Sequence, residues 1–166
     1  MQKIKKVIVF GDLPIATKVV KKLMSTQGVK VVAIISNGKK INNNDPWDLP
    51  VLKEYAKLKN IPQFKLNELS DFFKKNDLDL GFSCRFSEVI NIKVIDLFKF
   101  GIINFHGGLL PERRGLNTVC HSILLKDKIA GGTLHYIDEG IDTGKIIAKG
   151  KFEIKNNDTS YDIFIK

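Results

Sequence analysis

Two glycine-rich segments of this chain contain an unusual combination of polar side chains. Residues 104–111 (NFHGGLLP) and residues 138–144 (DEGIDTG) each come directly after a predicted strand. The amide of Asn104 can donate a hydrogen bond to a developing oxyanion, the imidazole of His106 can accept a proton at neutral pH, and a nearby carboxylate can orient and stabilise that imidazole. The combination predicts an acyl-transfer site that needs no serine or cysteine nucleophile.

His106 is the strongest candidate among the three histidines because its position at a strand end, beside two glycines, favours exposure to a ligand. His121 lies in a predicted helix and His135 inside a predicted strand, so we expect both to be structural. His135 nevertheless precedes residues 138–144 closely enough to line a pocket. Asp138 and Asp142 compete for the carboxylate role, since aspartate is common in turns. We favour Asp142 because Thr143 and Gly144 follow it directly.

The elements that would position these residues follow an α/β pattern. Residues 4–10 (IKKVIVF) predict a strand, residues 15–24 an amphipathic helix after Pro14, and residues 29–36 (VKVVAIIS) a strand buried on both faces. This opening favours a parallel sheet with helices on both sides. Further strands are predicted at residues 78–83, 101–105, 132–137 and 145–154, and further helices at residues 47–59, 66–75, 89–98 and 118–126.

Four loops lie at the predicted carboxyl ends of strands, where ligands bind in open α/β sheets. They comprise residues 11–14, 84–87, 106–115 and 138–144. For any one loop taken alone, a tight turn is the preferred interpretation. Only three of the 27 basic residues are arginine, namely Arg85, Arg113 and Arg114, and all three fall in these loops. Because arginine offers a planar bidentate fork, their positions favour an anionic ligand.

Bulk composition narrows the class of protein. The chain has 166 residues, a net charge of +9 and lysines scattered along its whole length, which favours solvated faces over a nucleic-acid footprint. The two cysteines make no disulfide framework or metal motif. The sequence shows no signal peptide and no apolar run of membrane-spanning length, so we expect a cytoplasmic protein without membrane contacts.

The motifs around Asn104, His106 and Asp142 resemble those of the 10-formyltetrahydrofolate-dependent formyltransferases. That family carries N-x-H, then G/S-L-L-P and R-G, then D-x-G-x-D-x-G-x-I. The corresponding segments here are residues 104–106, 108–111, 114–115 and 138–146. The resemblance covers nearly the whole chain. It implies one catalytic domain over residues 1–166 with a Rossmann-like, mostly parallel twisted sheet and helices on both faces.

The resemblance also implies roles for individual residues. Asn104 would hydrogen-bond the oxygen of a tetrahedral intermediate, His106 would assist charge and proton movement, and Asp142 would orient His106 and help to take the amine proton. The co-substrate would be 10-formyltetrahydrofolate, and no metal is implied. Predicted folate-binding residues are Ser83, Cys84, Arg85, Phe86, Ile137, Asp138, Glu139 and Ile141. Predicted acceptor-binding residues are Gly11, Asp12, Gly107, Gly108, Arg113 and Arg114.

The expected acceptor is the amine of a nucleotide-linked amino sugar. Residues 45–47 (DPW) and the long spacing from Arg85 to Asn104 are similar to the sugar N-formyltransferases. Residues 11–14 (GDLP) count against glycinamide ribonucleotide, because the purine-pathway members have a Ser-Asn phosphate loop there. Glycinamide ribonucleotide and methionyl-tRNA formyltransferases remain alternatives, as do a formyltetrahydrofolate hydrolase and an inactive folate-binding remnant.

The end of the chain predicts a short helix. Asp158, Thr159 and Ser160 resemble a helix N-cap, and only about two turns follow before Lys166. This is consistent with a chain cut inside its last helix. Sugar-linked members continue into a segment that supports the acceptor site or a dimer, so a homodimer is one expected assembly.

Overall fold

The computed structural model describes residues 5–37, 48–68 and 77–166. Seven strands form a mostly parallel sheet in the order β3-β2-β1-β4-β5-β6-β7. The strands are β1 (Lys6–Phe10), β2 (Lys30–Ile35), β3 (Gln63–Phe64), β4 (Leu80–Cys84), β5 (Ile102–His106), β6 (Ile129–Tyr136) and β7 (Ile146–Glu153). The described helices are α1 (Pro14–Met24), α2 (Leu52–Leu58), α3 (Ile92–Ile95), α4 (Thr118–Leu124) and α5 (Ser160–Ile165), with a 3-10 turn at Leu66–Glu68. The predicted Rossmann-like α/β class is confirmed.

The chain packs as two compact units, residues 1–103 and residues 104–166. In the first unit β1 lies between β2 and β4, and both pairings are parallel. Residues 7–10 of β1 are almost completely buried, as the apolar run predicts. From β1 the chain adds β2 and then β3 on one side of the sheet, and it then returns to add β4 on the other side of β1. The β1/β4 boundary is therefore the switch point at which ligands bind in such sheets.

In the second unit β6 and β7 form an antiparallel pair. Gly131 is required there because a Cβ at this position would lie 1.9 Å from the carbonyl oxygen of Gly150. Helix α5 begins with a capping box, in which Thr159 Oγ1 accepts from the Asp162 amide and Asp162 Oδ2 accepts from the Thr159 amide. Ile163 of this helix is only 3% exposed. The short helix is thus capped and docked.

Two predicted helices are shorter in the structure. The helix expected over residues 89–98 is only Ile92–Ile95. The Asn91 side chain caps its start, and after it the amides of Lys99 and Phe100 hydrogen-bond residues that precede β4. The helix expected over residues 47–59 is Leu52–Leu58, because Pro50 disfavours helical backbone at Leu49, the residue directly before it.

The remaining differences concern the segment between α2 and β4. The short strand β3 was missed because two residues after Pro62 carry no periodic signal. Of the helix expected over residues 66–75, the structure describes the 3-10 turn Leu66–Glu68, and the rest lies outside the described residues. Residues 45–47 also lie outside them. Across the described ranges, no helix is long and apolar enough to cross a membrane.

Candidate active site

Four polar side chains of the second unit meet at one place. Asn104 and His106 lie two residues apart on β5, which directs both side chains to one face of the strand. His135 lies on β6, and Asp142 lies in the turn between β6 and β7. The distances are 3.4 Å from His106 Nδ1 to Asp142 Oδ2, 3.5 Å from His135 Nε2 to Asp142 Oδ1, and 3.1 Å from Asn104 Nδ2 to His135 Nε2. The three predicted catalytic residues are therefore part of one cluster, to which the structure adds His135.

Asp142 is held in place by its backbone and by its neighbours. Its φ of 53° is in the left-handed region, which aspartate tolerates better than most residues. The Gly115 amide donates to Oδ2 at 2.8 Å. Burial raises the pKa of the Asp142 carboxyl, but contact with His135, the Gly115 hydrogen bond and the charge of His106 together lower this pKa by more. Asp142 is thus a carboxylate at neutral pH.

The His106 ring lies between two acceptors. Its Nε2 is 2.5 Å from the Arg113 carbonyl oxygen, and its Nδ1 faces Asp142 at 3.4 Å. Both acceptors receive a hydrogen bond only when both ring nitrogens carry a proton. The ring is also buried, with 8% of its surface exposed. Each ring nitrogen of His106 therefore faces one acceptor.

His135 was expected to be structural, and the structure also places it in contact with Asn104 and Asp142. Its Nδ1 lies 2.8 Å from the Tyr136 carbonyl oxygen and therefore donates to that oxygen. In the neutral ring, Nε2 then accepts from Asn104 Nδ2, whereas in the protonated ring Nε2 can donate to Asp142. The signal available in the sequence was the position of His135, seven residues before Asp142 on an inward-facing strand position.

The loop after β5 is fixed by two threonines that the sequence gave no reason to select. Thr118 Oγ1 donates to the Gly107 carbonyl oxygen through a short hydrogen bond. The completely buried Thr133 donates to the Gly108 carbonyl oxygen at 2.7 Å and accepts from the Leu110 amide at 3.1 Å. Together they fix the loop whose Arg113 carbonyl meets His106.

The two neighbouring arginines differ in their partners. Arg113 makes a bidentate pair with Asp127, at 2.8 Å from Nε to Oδ2 and 2.5 Å from Nη2 to Oδ1. Arg114 is exposed, and its Nε donates to the main-chain oxygen of Asp142 at 3.2 Å. The structure thus gives the Arg113 fork an intramolecular partner. Binding of the acceptor by Arg114 stays a prediction, and the same holds for Arg113.

Of the predicted folate-binding residues in the second unit, Asp138 has a structural role. Its Oδ1 accepts from the Gly140 amide at 3.1 Å and from Thr143 Oγ1 at 2.6 Å, so its carboxylate closes the turn. Ile137 is half-buried, whereas Glu139 and Ile141 are exposed. It is therefore Asp142, and not Asp138, that faces the imidazoles.

The predicted ligand-binding residues of the first unit lie at the ends of β1 and β4. Ser83 and Cys84 are buried, Arg85 has a φ of 54°, and the Phe86 ring packs edge-on against Phe10 at 5.7 Å. Burial raises the pKa of the Cys84 thiol to about 12, so this thiol is no nucleophile at neutral pH. Folate binding by these four residues stays a prediction.

Gly11 and Asp12 follow β1 directly. Gly11 is required by packing, because a Cβ there would lie 2.4 Å from the Cβ of Ala16. Asp12 is buried and hydrogen-bonded within its unit. In the part of the chain that the structure describes, no three His, Cys, Asp or Glu side chains are grouped so that they could hold a metal ion.

Comparison with known proteins gives the family. The family model described as formyl transferase matches residues 5–165. The chain belongs to the formyl transferase family. Among curated relatives, this formyl transferase chain is 28% identical to the methionyl-tRNA formyltransferase of Clostridium tetani. The matched region covers 97% of this chain and 54% of that relative. The chain therefore spans about half the length of the curated methionyl-tRNA formyltransferases it matches.

Two solved structures illustrate the range of similarity. The N-formyltransferase from Helicobacter canadensis, in complex with folinic acid and dTDP-3-aminofucose, is 29% identical with a TM-score of 0.77, covering 97% of this chain and 57% of that one. Phosphoribosylglycinamide formyltransferase from Bacillus halodurans is 24% identical with a TM-score of 0.80, covering 97% of this chain and 86% of that one. The second likeness shows the fold alone.

Proposed function

We propose that residues 1–166 form the catalytic domain of an N-formyltransferase that moves the formyl group of 10-formyltetrahydrofolate to an amine. The observation that supports this most strongly is the cluster of Asn104, His106, His135 and Asp142, whose contacts are all 3.5 Å or shorter. The cluster combines an amide donor, two imidazoles and a carboxylate. It contains no hydroxyl or thiol nucleophile, which fits direct attack by the acceptor amine.

In the proposed reaction a neutral amine attacks the formyl carbon. A C–N bond forms, and the carbonyl electron pair moves to oxygen and gives a tetrahedral oxyanion. Asn104 Nδ2 carries two N–H groups; one is directed at His135, and the other can donate to the oxyanion. His106, two residues further along the same strand, assists charge and proton movement beside the same oxygen.

Collapse of the intermediate breaks the bond between the formyl carbon and N10 of the folate. The amine nitrogen loses one proton and N10 gains one, so tetrahydrofolate leaves neutral at that nitrogen. Asp142 is ionised before the transfer because its pKa is lowered, and it can take the amine proton with His106 as its partner. The folate and the acceptor are both substrates, and alignment of the two reacting atoms contributes as much as proton transfer does.

For the acceptor we favour a nucleotide-linked amino sugar. Support comes from the 29% identity to the Helicobacter canadensis enzyme, whose structure contains dTDP-3-aminofucose. Arg114 offers an exposed guanidinium beside Asp142 that could meet a diphosphate. Methionyl-tRNA is the second candidate, because the Clostridium tetani relative is 28% identical over 97% of this chain.

An acceptor panel tests these alternatives. Release of tetrahydrofolate from 10-formyltetrahydrofolate would be followed with dTDP- and UDP-linked 3-amino and 4-amino sugars, glycinamide ribonucleotide, methionyl-tRNA and no acceptor. Turnover with one nucleotide sugar supports the favoured acceptor. Turnover only with methionyl-tRNA or glycinamide ribonucleotide contradicts the nucleotide-sugar acceptor but is consistent with the proposed mechanism. Release without an acceptor indicates a hydrolase. No release with any acceptor, together with measurable binding of the folate, indicates an inactive folate-binding remnant.

A further inference from the structure

The carboxylate of Asp12 lies at the switch point of the sheet and is only 5% exposed. It follows β1 directly, and its partners come from the two neighbouring strand ends. Ser36 and Asn37 follow β2, and Ser87 lies three residues after β4. Asp12 thus fills the place between strand ends where α/β sheets bind ligands.

Each oxygen of this carboxylate accepts two hydrogen bonds. Oδ1 accepts from Ser36 Oγ at 3.0 Å and from the Asn37 amide at 2.8 Å. Oδ2 accepts from the Ser87 amide at 3.1 Å and from Ser87 Oγ at 2.8 Å. The Asn37 side chain also donates to Ser87 Oγ at 3.2 Å, which joins the two donor groups.

Two hydroxyls and two main-chain amides that converge on one point are the donors that proteins use to bind phosphate. Here those donors are occupied by a side chain of the protein itself. A phosphate that approached would lose these donors and would also meet the negative charge of Asp12 at close range. Ser87 is exposed, so the donors lie near enough to the surface for a ligand to reach them.

We propose that Asp12 is a specificity-determining residue: its carboxylate occupies an anion-binding cradle formed by Ser36, Asn37 and Ser87, and it selects against acceptors that place a phosphate there. The selection among acceptors rests on the proposed formyl transfer. The hydrogen bonds that fill the cradle are independent of that function. Acceptors that this chain uses must therefore bind their phosphates elsewhere, and the predicted acceptor residue Asp12 acts by exclusion.

The test is calorimetric titration of the chain with inorganic phosphate at constant ionic strength. Asp12→Ser removes the carboxylate from these four donors, so this variant should bind phosphate at least about tenfold more tightly than the unaltered chain. Asp12→Asn keeps the size of the side chain and removes only its charge, so it should fold even if Asp12→Ser does not. Its phosphate affinity should rise less than that of Asp12→Ser.

Asp79→Asn is the matched control. Asp79 also accepts two main-chain hydrogen bonds, from Lys5 at 3.0 Å and Lys6 at 2.8 Å, but it precedes β4 and so lies at the opposite strand ends. The phosphate affinity of this variant should equal that of the unaltered chain. Unchanged phosphate affinity in both Asp12 variants, or an equal gain in Asp79→Asn, would overturn the proposal. Because the titration uses no formyl donor, its outcome is independent of whether formyl transfer is confirmed.

Discussion

The side-chain amide of Asn104 lies 3.1 Å from Nε2 of His135, and the opposite ring nitrogen lies 2.8 Å from the Tyr136 carbonyl oxygen. The carbonyl fixes the proton on Nδ1 of the neutral ring, which leaves Nε2 as an acceptor. Because Nε2 accepts, it orients the Asn104 amide with a nitrogen and not an oxygen toward the ring. His135 thereby determines where the second N–H of Asn104 points.

Replacing His135 should therefore lower kcat through Asn104. We expect His135→Leu to lower kcat by about 10²-fold, the usual cost of losing one oxyanion donor, with little change in KM for the folate. His135→Gln keeps an acceptor and should recover part of the loss. Steady-state kinetics with both variants would check this, with circular dichroism to confirm folding. A purely structural His135 would give variants that lose stability with an unchanged kcat.

Adding a methyl group to Gly108 should disturb His106. A Cβ at Gly108 would lie 2.8 Å from the Arg113 carbonyl oxygen and 3.0 Å from His106 Nε2, the two partners of one hydrogen bond. We expect Gly108→Ala to lower kcat/KM by more than about tenfold because the ring must move.

Gly107→Ala is the matched control for this steric argument. Its added carbon would meet only Thr118 Oγ1, at an ordinary 3.9 Å. The rate of this variant should fall far less than that of Gly108→Ala. Equal losses in the two variants would mean that the loop, and not the His106 hydrogen bond, responds to the substitution.

The two arginines should respond differently to lysine. Arg114→Lys should raise KM for the acceptor with little effect on stability, since Arg114 is exposed and a lysine offers no bidentate fork. Arg113→Lys should instead lower the melting temperature, because it breaks the bidentate pair with Asp127. Acceptor titrations and thermal unfolding of both variants would check this. An unchanged acceptor KM in Arg114→Lys would remove Arg114 from the acceptor site.

Acid should destabilise the chain partly through Asp127. The hydrogen bond from Arg113 lowers the pKa of Asp127 in the folded state by more than burial raises it. A lowered folded pKa means that the contribution to stability is present above the ordinary value of 3.8 and is lost as pH falls through the folded pKa. Urea midpoints of the unaltered chain and Asp127→Asn should differ at neutral pH and converge as the pH is lowered below 3.8. A gap that stays constant with pH would contradict the assignment.

The sequence was sufficient to predict six of the seven described strands. The apolar run at residues 29–36 and the strand end at His106 are local patterns, and the structure places β2 and β5 there. The helices were less predictable, because α3 is cut short by hydrogen bonds to residues before β4, which local periodicity does not encode.

The roles of individual polar residues depended on contacts that are distant in sequence. Asp12 meets Ser87, 75 residues away, and Arg113 pairs with Asp127, 14 residues away. The sequence placed His135 inside a predicted strand but could not show that Asn104, 31 residues earlier, lies opposite it. Such pairings follow from the tertiary fold, which no local pattern of these residues reveals.

The most direct test of the central claim is the single-turnover rate of formyl transfer in the unaltered chain and in Asp142→Asn, with the acceptor identified by the panel. The carboxylate faces His106 at 3.4 Å and His135 at 3.5 Å, and its lowered pKa keeps it ionised at neutral pH. We predict that Asp142→Asn lowers the rate by about 10²–10⁴-fold while the Kd for a non-transferable folate analogue is unchanged. A transfer rate in Asp142→Asn equal to that of the unaltered chain would contradict the proposed role of the cluster.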